Sequence, residues 1–178
     1  MRVSLKDFAT TGDFGPVKPG FTAVSLEAIF GKPEATGGTS RRHRRPAIWK
    51  YGDIEFTFAR PHGELCLVHL DRFSDPDGSP EGWGELVIEP WVIKEGLPRD
   101  SFIATIEEAG LKYTVRREPQ YNQDVVVFAS GVEIAFICQP EEYSPPVGLA
   151  WLSRRVAAAE PHYGPADSNK CNDSVHLA

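Results

Sequence analysis

Two residues with acid–base side chains, His69 and Asp71, lie two positions apart in an apolar, strand-like stretch. Residues two apart on a β-strand project from the same face, so the imidazole and the carboxylate can meet. With Glu55 on a neighbouring strand they could form an acid–base group or the corner of a metal site. No third histidine stands at a ligand spacing. We therefore expect no metal and no cofactor, and we keep a small hydrolase or cyclase using His69 and Asp71 as an alternative function.

The common motifs of enzymes do not occur in the chain. There is no G-x-x-x-x-G-K-[ST], no G-x-S-x-G and no H-E-x-x-H, which leaves the usual nucleotide, serine-hydrolase and zinc-protease functions without support. The stretch Asp75-Pro76-Asp77-Gly78 is similar to a calcium loop, but Phe73 and Gly84 occupy its first and twelfth positions. We therefore expect no calcium site.

The elements that would position His69 form a helix followed by strands. Thr22 begins a helical pattern that Gly31 and Pro33 end. Ile54, Phe56 and Phe58 then alternate with polar residues, as in a half-buried strand. Further strands are predicted over residues 65–71 and 85–92. Residues 20–93 thus form one helix-loop-three-strand unit, preceded by an irregular arm over residues 1–19.

The same order of elements recurs after residue 93. A helix with Phe102 and Ile106 on one face precedes strands predicted over residues 112–116, 125–129 and 132–138. Residues 94–139 are therefore a second unit, followed by a packing segment over 140–156 and a disordered tail over 157–178. We predict an α+β fold, in which two tandem αβββ units form an antiparallel sheet with the helices packed on one face.

The other face of the predicted sheet, the open face, is expected to be aromatic and acidic. Alternation about Ile54 and Phe56 places Trp49 and Tyr51 there, unless a bulge at Gly52 sends both into the core. Large aromatic side chains on such a face are frequent anchors of protein interfaces. The predicted partner-binding residues are Trp49, Tyr51, Glu55, Asp71, Glu89 and Trp91.

The charge of the chain favours a basic partner protein. Nineteen basic and twenty-five acidic residues give a net charge of −6, and an acidic body repels nucleic acid. The basic residues include one clustered loop, whose arginines could clamp a phosphate or an acidic strip on a partner or pair with the protein's own surface. That loop contains Arg41, Arg42, Arg44 and Arg45.

The cysteines and the apolar segments favour a cytoplasmic location. Cys66, Cys138 and Cys171 form neither a disulfide framework nor a C-x-x-C zinc pair. No apolar run is long enough to span a membrane, and the first residues lack the apolar region of a secretory signal.

Two stretches carry a resemblance to a known family. Residues 20–33, with Gly20, Thr22, Gly31 and Pro33, resemble the "G-(apolar)-T, helix, G-x-P" opening of the SmpA/OmlA and β-lactamase-inhibitor-protein-like fold. Trp49-Lys50-Tyr51 looks like that fold's W-x-Y element. The inhibitor members carry tandem αβββ units and grip a partner protein with a concave sheet. The second unit departs from the pattern, because Leu111 and Lys112 follow Gly110 where G-x-P is expected.

These observations together predict a non-enzymatic binding protein. The resemblance implies an inhibitor, and the whole-chain pattern also resembles uncharacterised bacterial proteins that include suspected toxin-immunity proteins. Our leading hypothesis is that the open face blocks a basic partner protein. A structural subunit of a cytosolic assembly is a third alternative.

Overall fold

The computed structural model describes residues 1–18, 20–39, 46–59, 63–137 and 149–155. The helices in these ranges are α1 (Leu5–Thr11), α2 (Ala23–Phe30) and α3 (Arg99–Glu108), with a 3₁₀ turn at Pro119–Tyr121. The strands are β1 (Arg2–Ser4), β2 (Ala35–Gly37), β3 (Ile48–Tyr51), β4 (Ile54–Phe58), β5 (Leu65–Leu70), β6 (Val87–Glu89), β7 (Tyr113–Glu118), β8 (Gln123–Phe128), β9 (Val132–Ile137) and β10 (Leu149–Arg155).

Helix α2 begins and ends at residues whose chemistry sets its limits. The side chain of Thr22 accepts the backbone N–H of Ser25 at 3.3 Å and so caps the first turn. Gly31 ends the helix with a φ of +77° and donates its N–H to the carbonyl oxygen of Glu27 at 2.9 Å. A side chain at Gly31 would be strained by this backbone conformation.

One antiparallel sheet contains eight of the strands, in the order β2-β3-β4-β5-β10-β9-β8-β7. The strands that follow α2 form one half and those that follow α3 form the other. The halves meet where β5 pairs with β10, with Leu70 opposite Leu152. Each half therefore consists of a helix and four successive strands, one strand more than the sequence predicts, and the fourth strand of each half lies at the centre.

The helices cover one face of this sheet. In the first half, the ring of Phe30 on α2 stacks on Phe56 of β4 with centroids 5.9 Å apart. In the second half, Phe102 on α3 lies 5.4 Å from Phe136 of β9. All four rings are buried. The predicted α+β class, with an antiparallel sheet and helices on one face, is confirmed.

The N-terminal segment is not the irregular arm that the sequence predicts for residues 1–19. It forms β1 and α1. The side chain of Ser4 accepts the backbone N–H of Asp7 at 3.2 Å, and Gly12 ends α1 at a φ of +81° with its N–H on the carbonyl oxygen of Phe8. Phe8 is buried, so the helix is part of the core.

The strand predicted over residues 85–92 is wrong in length and in place. Only β6 forms there, and it pairs in parallel with β1, with Ile88 opposite Val3, as a separate two-stranded sheet. Pro90 has no N–H to continue a ladder, and Trp91 has a φ of +56°. The chain therefore leaves the extended conformation directly after Glu89.

The C-terminal part of the described chain lies at the middle of the sheet. Strand β10 falls within the packing segment predicted over residues 140–156. It inserts between β5 and β9, so it joins the two halves of the sheet. Other predicted features lie outside the described residues, namely the tail over 157–178 and the loop with Arg41, Arg42, Arg44 and Arg45.

Candidate interaction face

A row of polar side chains crosses five adjacent strands on the open face. The register pairs Lys50 with Glu55, and Glu55 with His69. It then pairs His69 with Ser153, and Ser153 with Glu133. Directly opposite residues of antiparallel strands project to the same side, and the alternating Ile54, Phe56 and Phe58 fill the helix side. The row therefore faces away from the helices.

His69 lies at the centre of this row. Its Nε2 atom is 3.7 Å from Oδ2 of Asp71, and its ring centroid is 6.0 Å from that of Trp151 on β10. The interaction with the imidazole lowers the pKa of Asp71 more than partial burial raises it. The carboxylate of Asp71 thus stays ionised to lower pH than an ordinary aspartate.

Arg116 lies on the open face at the β7 edge of the sheet. Its guanidinium binds the carboxylate of Glu133 at 3.1 Å and that of Glu118 at 2.8 Å, and these contacts raise the pKa of Arg116. Arg116 lies opposite Val125 of β8, and Val125 lies opposite Ala135 of β9. Both of these residues are fully buried.

A second row, of Ile48, Thr57 and Leu67, flanks the polar row on the side away from Trp151. Ile48 of β3 pairs with Thr57 of β4, and Thr57 pairs with Leu67 of β5. All three are half-buried. The centre of the open face therefore presents a polar row between Trp151 on one side and this aliphatic row on the other.

Trp49 and Tyr51 do not lie on the open face as the sequence analysis expects. Gly52 and Asp53 are the two turn residues of the β3–β4 hairpin, so Tyr51 pairs with Ile54 and Trp49 with Phe56. A two-residue turn reverses the chain, so alternation cannot be counted through it. Tyr51 is fully buried and Trp49 packs partly buried on the core.

Trp91 and Glu89 are also absent from the open face, because β6 is not part of the large sheet. The Trp91 ring meets Phe102 edge to face with centroids 5.8 Å apart. Glu89 is exposed and pairs with Arg2 at 3.1 Å. Of the predicted partner-binding residues, the structure brings Glu55 and Asp71 together on this face and places the other four elsewhere.

The open face is also not acidic. Among the described residues its charged side chains nearly balance, with four carboxylates against three cations. These are Glu55, Asp71, Glu118, Glu133, Lys50, Arg116 and Arg155. The acidity that the net charge of −6 expresses therefore resides on other parts of the molecule.

Sequence reasoning missed Trp151, Ser153 and Glu133. The segment around Trp151 is recognisable as an apolar stretch, but nothing in it indicates that it pairs with β5, whose residues are far away in the chain. Alternation within Trp151, Ser153 and Arg155 places them on one face. Only the observed pairing of Ser153 with His69 identifies that face as the open one.

The arrangement at His69 offers acid–base chemistry and hydrogen bonding, and aromatic contact area from Trp151. A serine, a histidine and an aspartate lie on neighbouring positions of β5 and β10. Among the residues that the structure describes, no group of three His, Cys, Asp or Glu side chains is placed to hold a metal ion.

None of the described helices is both long and apolar enough to cross a membrane. No family model, no curated protein and no solved structure matches this chain.

Proposed function

We propose that this chain is a non-enzymatic protein-binding module of the inhibitor or immunity type, and that it contacts its partner with the open face. The observation that carries the proposal is the half-buried ring of Trp151 beside the imidazole of His69, at the centre of the open face. Tryptophan gives a large apolar contact area with few torsions to fix, which is why it is frequent among interface anchors.

The surroundings of Trp151 support the same proposal. Half-buried Ile48 and Leu67 add apolar area, and the polar row beside them offers groups for hydrogen bonds and ion pairs. A core of apolar side chains with polar groups around it is the usual composition of an interface. The sparse cysteines fit a cytoplasmic location, which belongs to the same proposal.

The test is affinity capture from lysate of the source organism, with the wild type and the Trp151→Ala variant as baits. A protein captured by the wild type is identified by mass spectrometry, produced separately and titrated against both baits. We expect Trp151→Ala to weaken binding at least about tenfold. A matched control is Tyr121→Ala, an exposed aromatic outside the open face. Equal affinity of wild type and Trp151→Ala would contradict the proposal.

One observation favours an enzyme as a second candidate. Ser153 lies directly opposite His69, and Asp71 lies beside the imidazole, which are the residue types of a serine hydrolase. If Ser153 is a nucleophile, a fluorophosphonate probe labels the wild type and not Ser153→Ala. The binding proposal expects the probe to leave Ser153 of the wild type unlabelled.

A further inference from the structure

Three large apolar side chains are exposed close to one another along the backbone at β6. Met1 is 48 %, Trp83 45 % and Val87 47 % exposed. The N–H of Val87 donates to the carbonyl oxygen of Met1 at 2.7 Å, and the N–H of Leu86 donates to that of Trp83 at 3.1 Å. We call Met1, Trp83 and Val87 the Trp83 patch. It lies on the small sheet and not on the open face.

The backbone that carries this patch is fixed by a buried carboxylate. Asp53 is 2 % exposed. It accepts the N–H and the hydroxyl of Ser74 at 2.7 and 2.6 Å, and the N–H of Glu81 at 2.8 Å. A Cβ on Gly82 would come within 2.0 Å of the carbonyl oxygen of Leu86, so the chain is tightly folded just before Trp83. A surface held in one conformation loses little entropy when a partner binds.

The chain segment that carries Trp83 and Val87 is strongly acidic. Residues 71–96 contain seven acidic and two basic residues, a net charge of −5 out of −6 for the whole chain. All seven acidic residues are exposed. Two cations also lie at the patch, Arg2 opposite Val87 and the N-terminal ammonium of Met1, but Arg2 is paired with Glu89. The acidic excess of the segment favours partners of the opposite sign.

The pattern along β6 indicates how a partner segment would align. Ile88 is buried, whereas Val87 and Glu89 are exposed on the other side of the strand. Glu85 precedes the strand, in the turn closed by the hydrogen bond from the N–H of Leu86 to the carbonyl oxygen of Trp83. Glu89 pairs with Arg2, but among the described residues no cation lies within ion-pair distance of the Glu85 or Glu81 carboxylate. An exposed valine thus lies beside the Glu89 carboxylate at the two-residue spacing of an extended chain, and the exposed Glu85 lies in the turn just before it.

We propose that the Trp83 patch docks a basic, extended segment of a partner protein, with an apolar side chain against Trp83 and Val87 and Lys or Arg side chains against the surrounding carboxylates. This goes beyond the proposed function, because the open face has only one carboxylate in excess of its cations and therefore selects little for a basic partner. The selection comes from a second surface, built on β6 and on the loops that Asp53 fixes.

The probe is a fluorescein-labelled peptide, Lys-Leu-Lys-Leu-Lys, titrated against the full chain by fluorescence anisotropy. We expect it to bind at least about tenfold more tightly than Glu-Leu-Glu-Leu-Glu and than Lys-Ser-Lys-Ser-Lys. Trp83→Ala should weaken binding about tenfold or more. Glu85→Lys should weaken it and also reduce its dependence on salt. The indole N–H resonance of Trp83, assigned with Trp83→Phe, should shift during the titration.

Two surface variants serve as controls: Val24→Ala, at an exposed valine on α2, and Glu108→Lys, at an exposed acid on α3. Both should bind the peptide as the wild type does. Equal binding of the serine peptide would reduce the surface to unspecific charge attraction and overturn the proposal. So would unchanged binding by a folded Trp83→Ala. Neither result affects the capture experiment with Trp151→Ala, so failure of one proposal is distinguishable from failure of the other.

Discussion

The hydroxyl of Tyr51 donates a hydrogen bond to the carbonyl oxygen of Gly31 at 2.9 Å. This contact ties the end of α2 to the β3–β4 hairpin. It also joins the two stretches on which the family resemblance depends, the helix that ends at Gly31 and the Trp49-Lys50-Tyr51 element. These residues therefore have a structural role in the core, whether or not the resemblance extends to function.

Replacing Tyr51 with phenylalanine should destabilise the protein by about 1–2 kcal/mol at neutral pH. The ring still fills its site, but the carbonyl of Gly31 loses its donor in a partly buried position. Urea unfolding followed by circular dichroism measures the change. Tyr121→Phe is the control, because Tyr121 is 61 % exposed. A Tyr51→Phe protein as stable as wild type would show that the hydrogen bond contributes nothing.

The stability of the wild type should fall as the pH rises from about 10 to about 12. Burial, and secondly the carboxylate of Glu27, raise the pKa of Tyr51 from 10.0 to about 12. Over that range the unfolded chain releases the phenolic proton while the folded chain retains it. The free energy of unfolding therefore decreases, by up to about 2–3 kcal/mol above pH 12.

A comparison of wild type with Tyr51→Phe shows how much of this loss of stability at high pH is due to Tyr51 and not to the other tyrosines. The wild type should be the more stable protein at pH 8, and the order should reverse between about pH 11 and pH 12. Urea unfolding at a series of pH values provides the comparison. If the stability difference stays constant with pH, the folded protein does not hold the Tyr51 proton.

Asp53→Ala should destabilise the protein by about 2–4 kcal/mol, since it removes a buried acceptor of three hydrogen bonds. The loss of stability should first affect the segments that Asp53 binds. Hydrogen exchange at the amides of Ser74 and Glu81 should accelerate more than exchange in β8 or β9. The control is Asp75→Ala, at an exposed carboxylate in the same segment. Uniform acceleration across the sheet would argue against a local role for Asp53.

Asp124→Ala should cost more stability than removal of either arginine that binds it. The Asp124 carboxylate is buried and pairs with Arg99 and, at 3.0 Å, with Arg117, both of which are partly exposed. We expect a loss of about 1–3 kcal/mol for Asp124→Ala. Arg99→Ala and Arg117→Ala should each cost less than about 1 kcal/mol, because the other arginine still neutralises the carboxylate. Chemical unfolding of the three variants measures these losses of stability. A greater loss for Arg99→Ala than for Asp124→Ala would contradict this account.

Two of the three described helices, α2 and α3, and half of the ten described strands could be predicted from the sequence because their signals are local. Thr22 and Gly31 mark the ends of α2, and alternation at Ile54, Phe56 and Phe58 marks β4. Ser4 and Gly12 cap α1, but the apolar pattern between them is too short to predict a helix. Alternation counted through the β3–β4 turn predicts the wrong face for Trp49 and Tyr51, because the chain reverses at Gly52 and Asp53.

The candidate site was less predictable than the fold, because it depends on contacts between distant parts of the chain. His69, Asp71 and Glu55 share a face that can be found by alternation alone. Their neighbours Trp151 and Ser153 cannot be found in this way, since no local pattern specifies which strand β10 joins. The pairing is decided by the tertiary packing of two half-sheets.

The central pairing of β5 with β10 has a consequence for the order in which the protein folds. Strand β5 is complete at Leu70, but its partner on that side begins at Leu149. On the ribosome, the first half-sheet must wait with a bare edge until the end of the second half has been synthesised. Such an edge is a template for wrong pairing, and contacts this distant in the chain form slowly. The nascent chain should therefore be most prone to aggregation just before β10 emerges, and a chain that stops before β10 should leave the inner edges of both β5 and β9 unpaired.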